Sequence, residues 1–270
     1  MELKSLGYQT ELLFRSFEGE VVDKEDYLVI QTPKNPGYRW GNFLLFPNPP
    51  QSGDLEKWKV VFAKEIGKPP KYNHFVFTWD GVDGDVGEIN QFLEAGFEIE
   101  KTAVMTATQV NPPAKVNHDC FIRPFTADDW PEWVELHVVM NQGEPEEDRE
   151  DDSDGGFSRY LWRKADEYQR MIEAGQGQWF GAFVDGRLAS SMGLFVWDKL
   201  GRFQMVDTHP DFRRRGLAGT LVYEVAQKGF NEMGAETLVM CTDPDYVALK
   251  LYESVGFKST ETMVGLEWTK

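Results

Sequence analysis

Apolar and polar residues alternate along 10–17 and 26–32, the period of a half-buried strand, and Glu18-Gly19 between them predicts a turn. The run 40–46 reads as a further strand and the Pro-rich 47–53 as a loop. Asp54 then reads as the N-cap of a helix with Trp58, Val61, Phe62 and Ile66 on its apolar side. A strand over 72–78, a helix over 88–95 closed by Gly96, and a strand over 98–108 complete the first half. The run 111–114, Asn-Pro-Pro-Ala, marks a linker.

Beyond it, 121–124 reads as a strand, and Asp128 and Asp129 lead into a helix carrying Trp130, Trp133, Val134 and His137. A second helix over 157–174 places Tyr160, Leu161, Tyr168, Met171 and Ile172 on or near one face. Asp185-Gly186 between the alternating runs 179–184 and 188–197 predicts a hairpin. Strands follow over 201–208, 237–242 and 259–268. The implied sheet is mixed, antiparallel in the hairpin and parallel where a helix crosses over. The fold class is therefore α+β (mixed α/β), in two domains, 1–113 and 119–270.

One stretch organises the second half. Strand 204–208 is broken by Pro210 and Asp211, and Arg213-Arg214-Arg215-Gly216-Leu217-Ala218-Gly219-Thr220 then opens a helix-periodic run through Leu221, Val222, Val225, Ala226 and Phe230. Small residues at Gly216, Ala218 and Gly219 leave backbone N–H groups unshielded at the positive end of that helix, where a diphosphate fits.

The pattern Arg213-x-x-Gly216-x-Ala218 resembles the pyrophosphate cradle of the GNAT acyltransferase superfamily, and 248–257, ending Tyr252-Glu-Ser-Val-Gly256-Phe257, is similar to that family's second motif. The resemblance covers about 119–270. It implies two GNAT-like domains, each a mixed, mostly antiparallel sheet flanked by helices, with acetyl-CoA as co-substrate and no metal. It assigns the diphosphate to Arg213, Arg214, Arg215, Gly216, Leu217, Ala218, Gly219 and Thr220, with Gly216 letting the backbone approach. It assigns the pantetheine arm to the main chain at Val206 to Thr208. Tyr252 matches the family's general acid for the departing thiolate. Asp207, beside the expected thioester, is a candidate base, and a structural hydrogen bond is the other reading. His209 either shapes the turn or takes part in catalysis, with the turn favoured, and His137 has no support as a catalyst. Asp245 stands where the second motif often carries Asn, which puts a side-chain contact to pantetheine in doubt.

Phe92 to Phe97 lines up with Tyr252 to Phe257 at a constant offset, and Phe77-Thr78-Trp79-Asp80 resembles Cys241-Thr242-Asp243, so the first half reads as a degenerate repeat. A Gly-Phe pair after a helix is also a common C-cap. In the first half prolines occupy the cradle position at 47–53 and remove N–H donors, and Phe92 lacks the hydroxyl of Tyr252, so this half reads as non-catalytic.

Charge narrows the partners. With 45 acidic against 28 basic residues and a net charge of -17, the chain is unsuited to a nucleic-acid backbone or an anionic membrane, and a small cationic amine is the natural acceptor. Within 144–154 every residue except Pro145, Arg149 and Ser153 is acidic, either a solvated loop or a rim that attracts a cation. Cys120 and Cys241 form no CxxC pair, no run has the length of a membrane span, and the N-terminus has no signal core, which together predict a cytoplasmic chain. Cys241 reads as a buried small hydrophobe. An amine N-acetyltransferase is the resulting expectation. A coenzyme-binding scaffold without transfer and an acetyltransferase for proteins stay open, as does a homo-oligomer.

Overall fold

The computed structural model describes residues 1–143, 145–146, 149–150, 152–246 and 248–270, the side chain of Glu18 excepted. In chain order the elements are α1 (Leu6–Glu18), β1 (Glu20–Asp23), β2 (Leu28–Gln31), β3 (Phe43–Phe46), α2 (Asp54–Glu65), β4 (His74–Trp79), α3 (Asn90–Glu94), β5 (Glu98–Ala107), β6 (Phe121–Pro124), α4 (Trp130–Gln142), α5 (Gly156–Glu173), β7 (Gly177–Val184), β8 (Arg187–Trp197), β9 (Leu200–Thr208), α6 (Leu217–Asn231), β10 (Thr237–Thr242), α7 (Ala248–Val255) and β11 (Lys258–Thr269).

The first segment corrects the strand expected over 10–17, because it is helix. Buried Thr10, Leu12 and Phe14 fit alternation, but Tyr8 and Leu12 also lie one helical turn apart, and the window is too short for period alone to decide. Capping decides. The Ser5 hydroxyl accepts from the Tyr8 N–H, and the Asp80 carboxylate accepts from the N–H groups of Lys4 at 2.7 Å and Ser5 at 3.0 Å.

The chain divides into two compact units, Met1–Met105 with Cys241–Tyr246 and Ser259–Lys270, and Thr106–Met240 with Val247–Lys258. These differ from the contiguous segments 1–113 and 119–270. The strand expected over 259–268 forms, as β11, but it pairs antiparallel with β4, from Val264 opposite Trp79 to Thr269 opposite His74. Alternation specifies that a strand forms and which face is buried, while the edge it joins is a long-range choice.

In the first unit the sheet runs β1-β2-β3-β4-β11-β5, with β3 and β4 parallel across α2. Trp58 of α2 stacks on Phe46 at 3.9 Å and meets Phe77 and Phe92 at 5.5 Å, an aromatic core under which Phe92 is fully buried. In the second unit β9 and β10 are likewise parallel, across α6, and the order is β10-β9-β8-β7-β6. Helices α2 and α6 both start from a left-handed glycine, Gly53 at φ 83° and Gly216 at φ 82°. The Phe97 N–H donates to the Phe92 carbonyl at 3.0 Å, and the Phe257 N–H donates to the Tyr252 carbonyl at 3.1 Å.

Helix α4 is held at both ends of its first turn. Asp129 takes a bidentate fork from Arg123 at 2.6 and 2.7 Å and accepts from the Thr126 N–H and hydroxyl. Burial would raise its pKa, but Arg123 and Thr126 overcome that and hold it below the ordinary carboxylate value. Glu132 accepts from the Leu188 N–H at 2.9 Å and so fastens α4 to β8.

Candidate active site

Strand β9 changes character along its length. Its parallel pairing with β10 comprises Leu200 with Thr237, Gly201 with Leu238 and Arg202 with Val239, although β9 continues to Thr208. Residues 201–203 are buried and 204–208 only half-buried, so one edge of the strand opens where the ladder stops. On the other edge, Ser191 faces Asp207 and Gly193 faces Gln204, which leaves Met205 and Val206 opposite Met192 alone. This is a bulge, with Met205 at φ 46°, and a bulge re-aims the side chains that follow it.

The first of those aimed is Asp207. Its carboxylate meets His137 Nε2 at 2.9 Å, while His137 Nδ1 lies 2.8 Å from the Trp133 carbonyl. Both partners of the ring are acceptors, so both nitrogens must carry protons for both bonds to form. Burial favours the neutral imidazole, but the hydrogen bond and charge of Asp207, with the Trp133 carbonyl, outweigh it and raise the His137 pKa above its ordinary value. The sequence pointed to Asp207 and not to His137. The signal was the position of His137 one turn after Trp133, on the buried side of α4, where a histidine needs a partner. Three buried polar atoms on the surrounding elements, Trp133 Nε1, Trp179 Nε1 and Ser191 Oγ, have no partner among the described residues, and the Trp133 ring lies 4.2 Å from that of His137, tilted by 48°. Buried polar groups are mostly hydrogen-bonded, so three orphans around one histidine call for an explanation.

Next along the chain is the cradle. Thr208 Oγ1 and Ser190 Oγ are 3.0 Å apart, Ser190 Oγ donates to the Asp207 carbonyl at 2.6 Å, and Arg213 Nε reaches the Thr208 carbonyl at 3.4 Å. His209 shapes the turn: its N–H donates to the Ala189 carbonyl and its Nδ1 accepts from the Asp211 N–H at 3.2 Å. It also lines a cavity of about 210 Å³ with Glu132, Glu135, Leu136, Arg187 and Leu188. Arg214 and Arg213 are exposed, and Arg215 lies over the Phe212 ring at 5.4 Å. Helix α6 has no acid in its first turn, and the N–H groups of Gly216, Leu217, Ala218 and Gly219 have no hydrogen-bond partner among the described residues. That set fits a diphosphate. By contrast α2 carries Asp54 and Glu56 in its first turn, where they occupy the positive end themselves.

Gly216 is also constrained from within the protein. A Cβ there would lie 2.5 Å from the Lys115 carbonyl oxygen, and the backbone is left-handed. Gly216→Val therefore strains the protein itself, by about 1–2 kcal/mol for the backbone alone, before any ligand is met. The expected result in scanning calorimetry is a lower Tm together with weakened coenzyme binding, and an unchanged Tm would contradict the contact.

Tyr252 is buried on α7, and Phe257 just beyond it packs on Phe203 at 5.8 Å, at the point where β9 leaves β10. Phe257, at the end of the α7 turn, thus packs on β9 just past its last pair with β10. Of the acidic run, Glu144, Glu147, Asp148 and Asp151 lie outside the described residues, whereas Asp152 caps α5 by accepting from the Ser158 N–H and hydroxyl. Cys120 and Cys241 are half-buried, which corrects the buried reading of Cys241. Asp245 is exposed. Among the described residues no group of His, Cys, Asp and Glu could hold a metal, and no helix is long and apolar enough to cross a membrane.

Residues 130–257 match the Acetyltransferase (GNAT) family. No curated protein matches the sequence. The fold is similar to that of a conserved protein of unknown function from Staphylococcus epidermidis, at TM-score 0.67 and 12% identity over 94% of this chain and 95% of that one. A GCN5-related N-acetyltransferase from Kribbella flavida gives TM-score 0.63 and 12% identity over 96% and 93% of the two chains. A tandem GNAT protein from the clavulanic acid biosynthesis pathway gives TM-score 0.53 and 12% identity over 79% and 67%.

Proposed function

We propose that the chain is an acetyl-CoA-dependent N-acetyltransferase for a small cationic amine, with the catalytic residues in the second half and a degenerate, non-catalytic GNAT-like copy in the first. The observation that carries this is the Asp207–His137 pair on the half-open end of β9, immediately ahead of an unpartnered N–H nest. Bound acetyl-CoA supplies the thioester. The main chain of Val206 to Thr208 would line the pantetheine arm, and 213–220 would hold the diphosphate.

The amine nitrogen attacks the thioester carbon, the C–N bond forms, the C–S bond breaks, and the coenzyme leaves as thiolate. The ammonium loses one proton to Asp207–His137 before attack, and the Tyr252 hydroxyl gives its proton to the departing thiolate. The second proton of the amine nitrogen, lost as the amide forms, returns to the Tyr252 oxygen, while the first passes from the pair to solvent. A phenol near pKa 10 hands a proton to a thiolate near 8.5 only when held within hydrogen-bond reach. The pair already shares one proton when His137 is charged, so the form that accepts the ammonium proton is the one with neutral His137. A carboxylate at this place, in a chain of net charge -17, also favours a cationic acceptor. We place the protein in the cytoplasm on a content of two cysteines with no CxxC pair.

The test is a screen of primary amines with acetyl-CoA, read by release of free thiol. Transfer to a small amine supports the reading, whereas coenzyme binding without thiol release from any small amine or peptide favours a scaffold. Calorimetry adds a second prediction. With Asp54 and Glu56 blocking α2, the chain is expected to bind one coenzyme, and a stoichiometry of two would remove the degenerate-copy reading.

A further inference from the structure

The connector that precedes β6 is more than a tether. Its residues 113–120 run along the first turn of α6 and make specific contacts with the cradle. Lys115 Nζ donates to the Arg214 carbonyl at 2.5 Å, and Asn117 Nδ2 donates to the Arg215 carbonyl at 3.0 Å. The Asn117 N–H donates to Thr220 Oγ1 at 2.8 Å, and Thr220 Oγ1 in turn donates to the Gly216 carbonyl at 2.8 Å. Asn117 Oδ1 accepts from the N–H groups of Asp119 and Cys120, both at 3.0 Å, so the amide is held in one orientation. A Cβ on Gly219 would lie 3.2 Å from Pro113 Cβ, which shows how closely the connector follows the helix start.

These bonds have a directional consequence. A trans peptide unit is planar, with its C=O and N–H pointing in opposite directions. Holding the Arg214 carbonyl toward Lys115 turns the Arg215 N–H the other way, and holding the Arg215 carbonyl toward Asn117 does the same for the Gly216 N–H. Arg214 sits at φ 60°, a conformation that costs an arginine energy and needs such support. We propose that Lys115 and Asn117 are positioning residues for the coenzyme's diphosphate: they aim the Arg215 and Gly216 N–H groups into the cradle. The inference rests on the coenzyme reading above and extends the site beyond the 213–220 stretch.

The test compares acetyl-CoA with S-acetylpantetheine, which has the thioester arm and lacks the diphosphate. Binding of each is measured by ligand-observed NMR for wild type, Lys115→Met, Asn117→Asp and Lys115→Arg. Lys115 is exposed, and Asp at 117 keeps the oxygen that accepts from Asp119 and Cys120, so both loss variants retain the local frame. Each loss variant is expected to weaken acetyl-CoA by about tenfold, the worth of a hydrogen bond to a charged group, with S-acetylpantetheine unchanged. Lys115→Arg is expected to restore most of the affinity. Equal acetyl-CoA affinity in wild type and Lys115→Met overturns the proposal, as does an equal loss for both ligands, which would mark a merely structural role. A wild type that binds neither ligand overturns the coenzyme reading itself, an outcome distinct from the other two.

Discussion

Replacing Tyr252 by Phe is expected to lower kcat by about 10²- to 10⁴-fold while leaving the affinity for acetyl-CoA nearly unchanged. The substitution removes one oxygen and keeps the ring that is buried at the end of α7. The Tyr252 carbonyl, which accepts from the Phe257 N–H at 3.1 Å, is untouched, so the turn that brings Phe257 onto Phe203 should persist. Proton transfer to the leaving thiolate matters only in the transition state, and its loss therefore falls on kcat more than on KM. Steady-state kinetics with an acceptor found in the amine screen decide the matter. Wild-type turnover in the variant would mean that water protonates the thiolate. Nature supplies a parallel within the same chain, since Phe92 stands at the matching place in the first half, fully buried among Trp58, Phe77 and Phe97.

The second large effect is expected at Asp207. Asp207→Asn keeps the shape, removes the charge, and should lower kcat/KM by about 10²- to 10⁴-fold if this carboxylate accepts the amine proton. In the wild type, kcat/KM is expected to rise with pH through an apparent pKa above about 6.5, the ordinary histidine value, because the accepting form of the pair is the one with neutral His137. That pKa belongs to the pair rather than to one residue. In the variant, burial acts on His137 without the opposing carboxylate, so its pKa falls and this limb should disappear from the profile. Stability gives an independent check with a definite sign. A histidine whose pKa is raised on folding stabilises the native state fully below its unfolded pKa and ceases to do so as pH rises through the folded value. The stability deficit of Asp207→Asn should therefore be largest near and below about pH 6.5 and should shrink at higher pH. A deficit that grows with pH would show that His137 is neutral in the native protein.

Much of the architecture was legible because it is written in local period and turn chemistry. Asp185-Gly186 between alternating runs gave the β7–β8 hairpin, the Leu217-to-Phe230 spacing gave α6, and the Phe92–Phe97 and Tyr252–Phe257 correspondence reappears as matching turns. The open donors of the α6 start were equally local, since small residues without acids at a helix N-terminus leave its first N–H groups unpaired by the helix itself. Where two periods fitted one short window, as at 10–17, the cap from Ser5 and the Asp80 carboxylate, far away in sequence, chose the helix. Tertiary structure alone decided that β11 joins β4, that His137 meets Asp207, and that the connector's Lys115 and Asn117 fasten the cradle. The reason is physical. Residue order fixes which groups repeat within a few positions, and so fixes helices, turns and the exposed donors of a helix end. Which carboxylate a buried histidine finds, or which carbonyl a lysine restrains, depends on chain segments separated by tens of residues, and only packing brings those together.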